Sequence, residues 1–367
     1  MKTKIKKVLL PKLLVLFFIF AAQFSSFVFS QEKFPISIFG DAFTEIGIGV
    51  SDPFNEDGEV SRNLVNNGRT AVSLQGTAGD RYTAKVDFSL LGSLAYNGSA
   101  VPAVLPPTLD VKKLYVSVFT EPADFFAGRM IVNYGRGTVL SPADIFSGID
   151  TGNSVLGKTG VDAARVLIPL GAISGMEIVS TIAEKPQNAR AGIRGYGNIK
   201  GWDFGLSSFY TGEEKSEMPH RAVFAFDTKG DAIVGLCAEA VASVDLENFT
   251  EVRGSAMLGF DYSFSNEVFF DFEYQWNGTS GNLGVFKGDH TVFASTSWQP
   301  NELFSANASV VKALPEKEAL LNFSATYSLV QNALLSGFVR YSRGTVQNPG
   351  ELSGANAAVG ASIHVLF

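Results

Sequence analysis

The chain has 367 residues with a formal net charge of −7, 46% hydrophobic and 12% aromatic residues, and a slightly positive mean hydropathy of +0.16. Its one cysteine, Cys237, excludes a disulfide framework, and its three histidines, His220, His290 and His364, stand too far apart to suggest metal-ligand spacing. The acidic balance argues against nucleic acid as a partner, because a basic surface is the usual electrostatic footprint; no cofactor and no metal is expected.

Residues 1–30 read as a secretory signal. Lys2, Lys4, Lys6 and Lys7 form a positive n-region, Leu13 to Ala22 is an unbroken apolar run, and Val28 and Ser30 are small enough to precede a cut that leaves Gln31 first. Gln23, Ser25 and Ser26 interrupt the run before it reaches the roughly 20 apolar residues of a spanning helix. Without the five lysines of this segment, the remainder carries 24 basic against 36 acidic residues, and residues 31–367 are expected to form one domain.

Alternation of apolar and polar residues then recurs in segments of about 9 to 11 residues, the length of a tilted membrane strand. Phe34 to Val50 already reads as strand. Tyr82, Ala84, Val86, Phe88 and Leu90 oppose Arg81, Thr83, Lys85, Asp87 and Ser89. Turn signals fall at Asn66-Asn67-Gly68, Gly79-Asp80, Asn198, Gly230-Asp231, Ser265-Asn266, Asn301 and Gln331-Asn332. Longer polar connections, such as Ser51 to Asn67, Gly92 to Thr108, Gly278 to Gly288 and Gly344 to Ala355, alternate with the short ones.

The stretch Gly128 to Phe146, GRMIVNYGRGTVLSPADIF, breaks this rhythm. By alternation Arg129 and Asn133 lie on one face and Met130, Val132 and Tyr134 on the other, so the two polar residues are expected to point inward. Beyond Tyr134 a glycine-rich connection of about twenty-five residues runs until alternation resumes near Val161, long enough to suggest function. Ser141-Pro142-Ala143-Asp144 reads as a short helical start, with Ser141 as cap and Pro142 in the first turn. Such a connection could fold inward. The stretch resembles a strand-and-loop motif of several Gram-negative porin-like families, in which a Gly-Arg strand, an aromatic-Gly-Arg-Gly turn and a Pro-x-Asp-hydrophobic segment follow one another. Those families usually carry Trp at the position of Tyr134 and Thr at that of Ala143. Arg129 and Asn133, by alternation, and with them Arg136, Asp144, Arg165, Arg190 and Arg194 are the candidate pore-lining residues. The arginines could instead pair with Asp144, Asp162 or Asp203 and brace a wall, and the sequence leaves both readings open.

Further along, Trp202 to Tyr210 and Ala256 to Phe264 repeat the alternation. Val268, Phe270, Phe272, Tyr274 and Trp276 oppose Asp271, Glu273 and Gln275, with Phe269 as the exception; Leu321, Phe323, Ala325, Tyr327 and Leu329 oppose Asn322, Ser324, Thr326 and Ser328. The polar faces are mostly Ser, Thr, Asn, Gly and Asp, and aromatics stand at strand ends, as at Tyr210, Trp276, Trp298 and Tyr341. That pattern suits a barrel with a polar interior and aromatic girdles better than a soluble sandwich. The expected fold is all-β: a transmembrane antiparallel up-and-down barrel of about 16–18 strands.

In the last segment Ala357, Val359, Ala361, Ile363, Val365 and Phe367 form one apolar face, with His364 on the other. This resembles the C-terminal signature of outer-membrane barrels, and it implies an exported bacterial outer-membrane protein that meets the lipid and the barrel-assembly machinery, Phe367, Val365 and Ile363 carrying the signal. The strand number, the polar inner faces and the long glycine-rich connection make the expected activity that of a porin-like channel for passive diffusion of small hydrophilic solutes. The alternatives are a plugged or gated barrel for a hydrophobic substrate, and an adhesin or structural barrel. An enzyme is not expected, because no histidine has a companion acid or nucleophile. The sequence leaves a homo-oligomer open.

Overall fold

The computed structural model describes residues 36–50, 64–78, 113–147, 149–150, 157–212, 220–249, 251–264, 267–278, 289–314, 318–343 and 357–366. The signal segment, the alternating stretch Tyr82 to Leu90, the turns at Gly79-Asp80 and Ser265-Asn266, most of the longer connections and Phe367 lie outside these residues.

Strands β1 (Ile36–Val50) and β2 (Leu64–Ala78) pair along their whole lengths, and β3 (Leu114–Phe119) pairs with β4 (Asp124–Met130). A small ribbon, β5 (Ile149–Asp150) and β6 (Gly157–Lys158), stands apart. The chain then runs up and down through β7 (Val161–Pro169), β8 (Gly175–Thr181), β9 (Arg190–Ile199), β10 (Trp202–Thr211), β11 (Arg221–Asp231) and β12 (Gly235–Asp245). It continues through β13 (Val252–Ser263), β14 (Val268–Asn277), β15 (His290–Asn301), β16 (Phe304–Leu314), β17 (Ala319–Val330), β18 (Ala333–Arg343) and β19 (Ala357–Leu366). From β7 onward every strand pairs antiparallel with the next, and β4 pairs with β7. The last strand returns to the first, Asp41 facing Leu366 and Val50 facing Ala357.

Among the described residues the main sheet has 17 strands. An even number of antiparallel steps leads from β3 to β19, and β19 and β2 both run antiparallel to β1, so β2 and β3 point the same way. Tyr82 to Leu90, expected as a strand, lies between them in the sequence and outside the described residues.

Connections alternate in length. At one end of the sheet they are two to five residues, as at Lys200–Gly201 between β9 and β10 and Glu302–Leu303 between β15 and β16; at the other they run up to the thirty residues between Met130 and Val161. Side chains shape the short ones. The Asn198 side-chain oxygen accepts from the Gly201 N–H at 3.1 Å, and the Asn301 oxygen accepts from the Leu303 and Phe304 N–H groups at 2.9 Å. The expected turn at Asn66-Asn67-Gly68 is not one: these residues sit inside β2, opposite Ile48, Gly47 and Ile46, because the β1–β2 ladder continues straight through them.

Burial is inverted relative to a soluble protein. On β14 the acids Asp271 and Glu273, with Gln275 and Asn277, are buried, whereas Trp276 on the other face is exposed. Leu258, Phe260, Leu321, Phe323, Val339 and Val359 are likewise exposed, and all lie on the outer side of their strands. A sheet closed on itself explains this, since the inward side chains shield one another while the outward row has no protein partner. Trp276 and Tyr341 stand near the long-loop end of this outer face; Trp298 and Tyr327 stand near the short-turn end. From Trp276 to Val268, which faces Trp298, are eight residues, roughly 27 Å along the strand at about 3.4 Å per residue.

Candidate functional site

After Met130 the β4 ladder stops, and residues 131–147 continue without strand structure against the inner wall. Gly128 prepares the departure. Its φ of +127° favours glycine, and a Cβ there would lie 2.3 Å from the Leu114 carbonyl oxygen. Met130, Val132 and Tyr134 turn inward and, with Ala143 and Phe146, pack on Ala163, Val179, Phe209, Val223, Ala225 and Val241 of the wall. The Tyr134 ring stacks on Phe209 at 5.3 Å, and Phe146 meets both edge-on. Farther on, Val139 and Leu140 reach a second apolar cluster with Cys237, Met257, Phe293, Val311 and Leu320. The inner wall is thus not uniformly polar, as the alternation suggested; it offers two apolar seats, and the segment occupies both.

Two wall carboxylates fasten the segment through its backbone. Glu239 of β12 accepts from the N–H groups of Arg136 at 2.5 Å, Gly137 at 2.9 Å and Ala143 at 3.0 Å, and from the Ser141 hydroxyl at 3.0 Å. Glu273 of β14 accepts from Thr138, from Val139 at 3.1 Å and from Leu140 at 2.6 Å. Each carboxylate thereby faces a concave run of backbone donors, the arrangement that favours an anion. Gly137 allows this curl, since a Cβ there would sit 2.1 Å from the Leu140 carbonyl oxygen.

This capture also explains why Ser141 to Asp144 is not the expected helical start. Glu239 takes both the Ser141 hydroxyl and the Ala143 N–H, the two groups a cap would have joined, and what remains is one turn closed by the Asp144 N–H on the Ser141 carbonyl at 3.2 Å.

Side-chain charges complete the fastening. Arg136 Nε donates to Asp227 Oδ1 at 2.7 Å and stands 3.6 Å from Asp203; Arg194 donates to the same Asp227 oxygen at 2.9 Å and to the Tyr134 carbonyl at 2.7 Å. Its guanidinium lies 5.2 Å from the Tyr134 ring centre. The Tyr134 hydroxyl donates to Glu177, which Arg165 also pairs at 2.6 Å. Burial and the neighbouring Glu177 carboxylate push the Tyr134 phenol far above its ordinary range, so it stays a donor. Arg190 donates to the carbonyls of Ile145 and Phe146, and Lys158 of the small ribbon pairs with Asp144. Burial pushes the Asp144 carboxyl up to about 6 even though Lys158 pulls it down.

Of the residues singled out from sequence, the structure gathers Arg136, Asp144, Arg165, Arg190 and Arg194 around this segment. Arg129 is elsewhere. It faces Leu114 on one side and Asp162 on the other in an outward row, paired with Asp162 at 3.4 Å. Asn133 is exposed and accepts from Lys158 at 3.4 Å. The parity between 129 and 134 was right and the choice of inner face was not: the apolar side turns inward because the wall offers it apolar seats. Ile363 and Val365 lie on the outer side of β19.

Sequence reasoning missed Glu177, Asp227, Glu239 and Glu273. Their signal was slight, an acid among apolar neighbours in sequence: Glu239 stands among alanines and valines, and Glu273 between Phe272 and Tyr274. Arg221 was missed as well; fully buried, it ties Ser243, Asp245 and Glu251 together at the long-loop end.

No family model matches this sequence, and no curated protein does. Solved structures do resemble it. Pseudomonas aeruginosa OccK5 (OpdH) superposes with a TM-score of 0.56 at 10% identity, covering 92% of this chain and 98% of that one. Acinetobacter baumannii OccAB4 gives 0.55 at 11% identity over 92% and 99%, and OccAB3 of the same organism 0.53 at 10% over 92% and 100%. At such identities the likeness is one of fold: over nearly its whole length, this chain has the β-barrel architecture of those three proteins.

Proposed function

We propose that this protein is a channel of the bacterial outer membrane through which small hydrophilic solutes diffuse passively. One observation carries the reading: a wall apolar outside and charged inside, with a chain segment fastened across its inner face by carboxylates and arginines. An apolar exterior between two aromatic belts suits a bilayer, and long connections at one end with short turns at the other suit an outer-membrane barrel. The segment 131–147 is the constriction of that channel, and Arg136, Arg165, Arg190 and Arg194 line or brace it. The reading includes export by a cleaved signal over residues 1–30 and delivery to the assembly machinery by the last strand, with Phe367, Val365 and Ile363 as its mark.

Residues 31–367, refolded in detergent and inserted into a planar bilayer under a salt gradient, test it. Stepwise single-channel currents are expected. A β-rich, inserted protein that carries no current would sink the proposal and leave a plugged transporter or a structural barrel.

A further inference from the structure

We infer that the inner face of strands β15–β17 is a hydrogen-bonding track for uncharged, hydroxyl-rich solutes such as small sugars. In an antiparallel sheet, directly opposed residues share a face, so the registers define inward rows running across the strands. The row Phe293, Val311, Leu320 belongs to the apolar seat taken by Val139 and Leu140. One step toward the short-turn end the row reads Ser295, Ser309, Asn322, and the next reads Ser297, Asn307, Ser324. Ser305 and Thr326, opposed to one another, continue the surface beyond them.

Among the described residues, β15, β16 and β17 place no ionisable side chain on this face, whereas β7 to β14 carry the acids and arginines that fasten residues 131–147. The edges add little charge. Arg340, which follows Asn322 in the same row, is held by both Glu45 oxygens at 3.1 and 3.2 Å, and Asp271, which precedes Ser295, is buried. The six side chains of the two polar rows are half-buried or, at Asn307, exposed, and no hydrogen bond among the described residues occupies them. They therefore offer donors and acceptors about 4.8 Å apart across the strands and about 6.8 Å apart along them. The hydroxyls on the two edges of a sugar ring can bridge such an array. Each Ser supplies one donor and an acceptor oxygen, and each Asn two donors and a carbonyl acceptor. A sugar hydroxyl replaces the water on these groups with a bond of the same kind, whereas an apolar solute would leave them unpaired. An ion finds no opposite charge on the track itself. The inference rests on the lumen conducting, as proposed above, and names the solute class that this part of the wall favours.

Residues 31–367 in a planar bilayer, recorded with maltose added, should show discrete interruptions of the ion current as the disaccharide occupies the track. Polyethylene glycol of the same mass, which accepts hydrogen bonds but scarcely donates them, should give interruptions at least fivefold shorter. The double variant Asn307→Val with Asn322→Val should shorten the maltose events at least fivefold, and its sugar-free current shows whether the barrel is folded and open. The milder pair Ser309→Ala with Ser324→Ala should shorten them at least twofold. Thr296→Val, which removes a hydroxyl from the exposed outer face of β15, should leave them unchanged. A conducting channel that maltose does not interrupt overturns the inference. So do events of equal length with the two solutes, unchanged events in both double variants, or an equal shortening in Thr296→Val. An inserted barrel that carries no current overturns the channel reading, and this inference with it.

Discussion

Two arginines seven positions apart in the same motif illustrate what single residues do here. Arg136 reaches Asp227 and Asp203 inside the barrel, whereas Arg129 meets Asp162 on the outside. Arg136→Gln should therefore shift the reversal potential toward cations and change the single-channel conductance, and Arg129→Gln should leave both unchanged. Equal effects of the two substitutions in the bilayer recording would contradict the placement. Asp144 makes a different prediction. Burial holds its folded-state carboxyl up to about 6, above the ordinary value, so the ionised form works against folding above that pH and ceases to do so as pH falls through 6. Asp144→Asn should then be no less stable than the parent at pH 7.5, and acidification to pH 5 should stabilise the parent relative to the variant. Urea midpoints in detergent at the two pH values decide it; a marked loss in the variant at pH 7.5 would mean that the pairing with Lys158 outweighs the burial. Asp162 and Asp203 were legible as possible partners of the arginines, and Arg129 and Arg136 do meet them, but Asp227 was not, since it lies 91 positions from Arg136 and which acid meets which arginine depends on strand order and register.

Strands were legible where the segment they built had only one partner environment on each side. The alternations in β14 and β17 survive intact in the structure, with Trp276, Leu321 and Phe323 outward and Asp271, Glu273 and Leu320 inward, because hydrocarbon-facing positions admit few polar residues. The segment 131–147 was legible only as an interruption. Its fold is decided by Glu239 and Glu273, whose acceptors replace the ladder that ends at Met130. Exchanging Glu for Gln at either position would aim an amide N–H₂ at a run of backbone donors. A donor left unsatisfied costs about 1–3 kcal/mol, so each substitution should destabilise the barrel by about 2 kcal/mol and the pair by more. Glu239→Gln with Glu273→Gln should also raise the open-channel current noise, as the segment samples positions off the wall. An unchanged urea midpoint together with quiet currents would show that the apolar seats alone hold the segment.

At the scale of the whole molecule, closure is what the sequence indicated most securely and located least. An expected export signal, repeated alternation and no long apolar run pointed to a barrel, but only the register of β19 against β1 shows where the wall meets itself. β19 contributes ladders on both sides, ten residue pairs to β1 and nine to β18, so its removal opens two unpaired edges at once. Residues 31–356 should therefore fail to give the compact, heat-modifiable form on gels, whereas residues 31–367 should give it. Normal heat-modifiable migration of the shortened chain would mean that closure lies elsewhere.

The fastening of residues 136–140 also fixes an order in time. Glu239 follows Arg136 by 103 positions and Glu273 follows Thr138 by 135, so a chain delivered from its N-terminus presents the segment long before either acceptor exists. Phe146 can find its seat once β12 is in place, but Val139 and Leu140 wait for strands as late as β15 to β17. Any fragment that stops short of Glu273 carries this greasy strap loose, and the finished barrel acquires its inner segment only after most of its wall has been laid down.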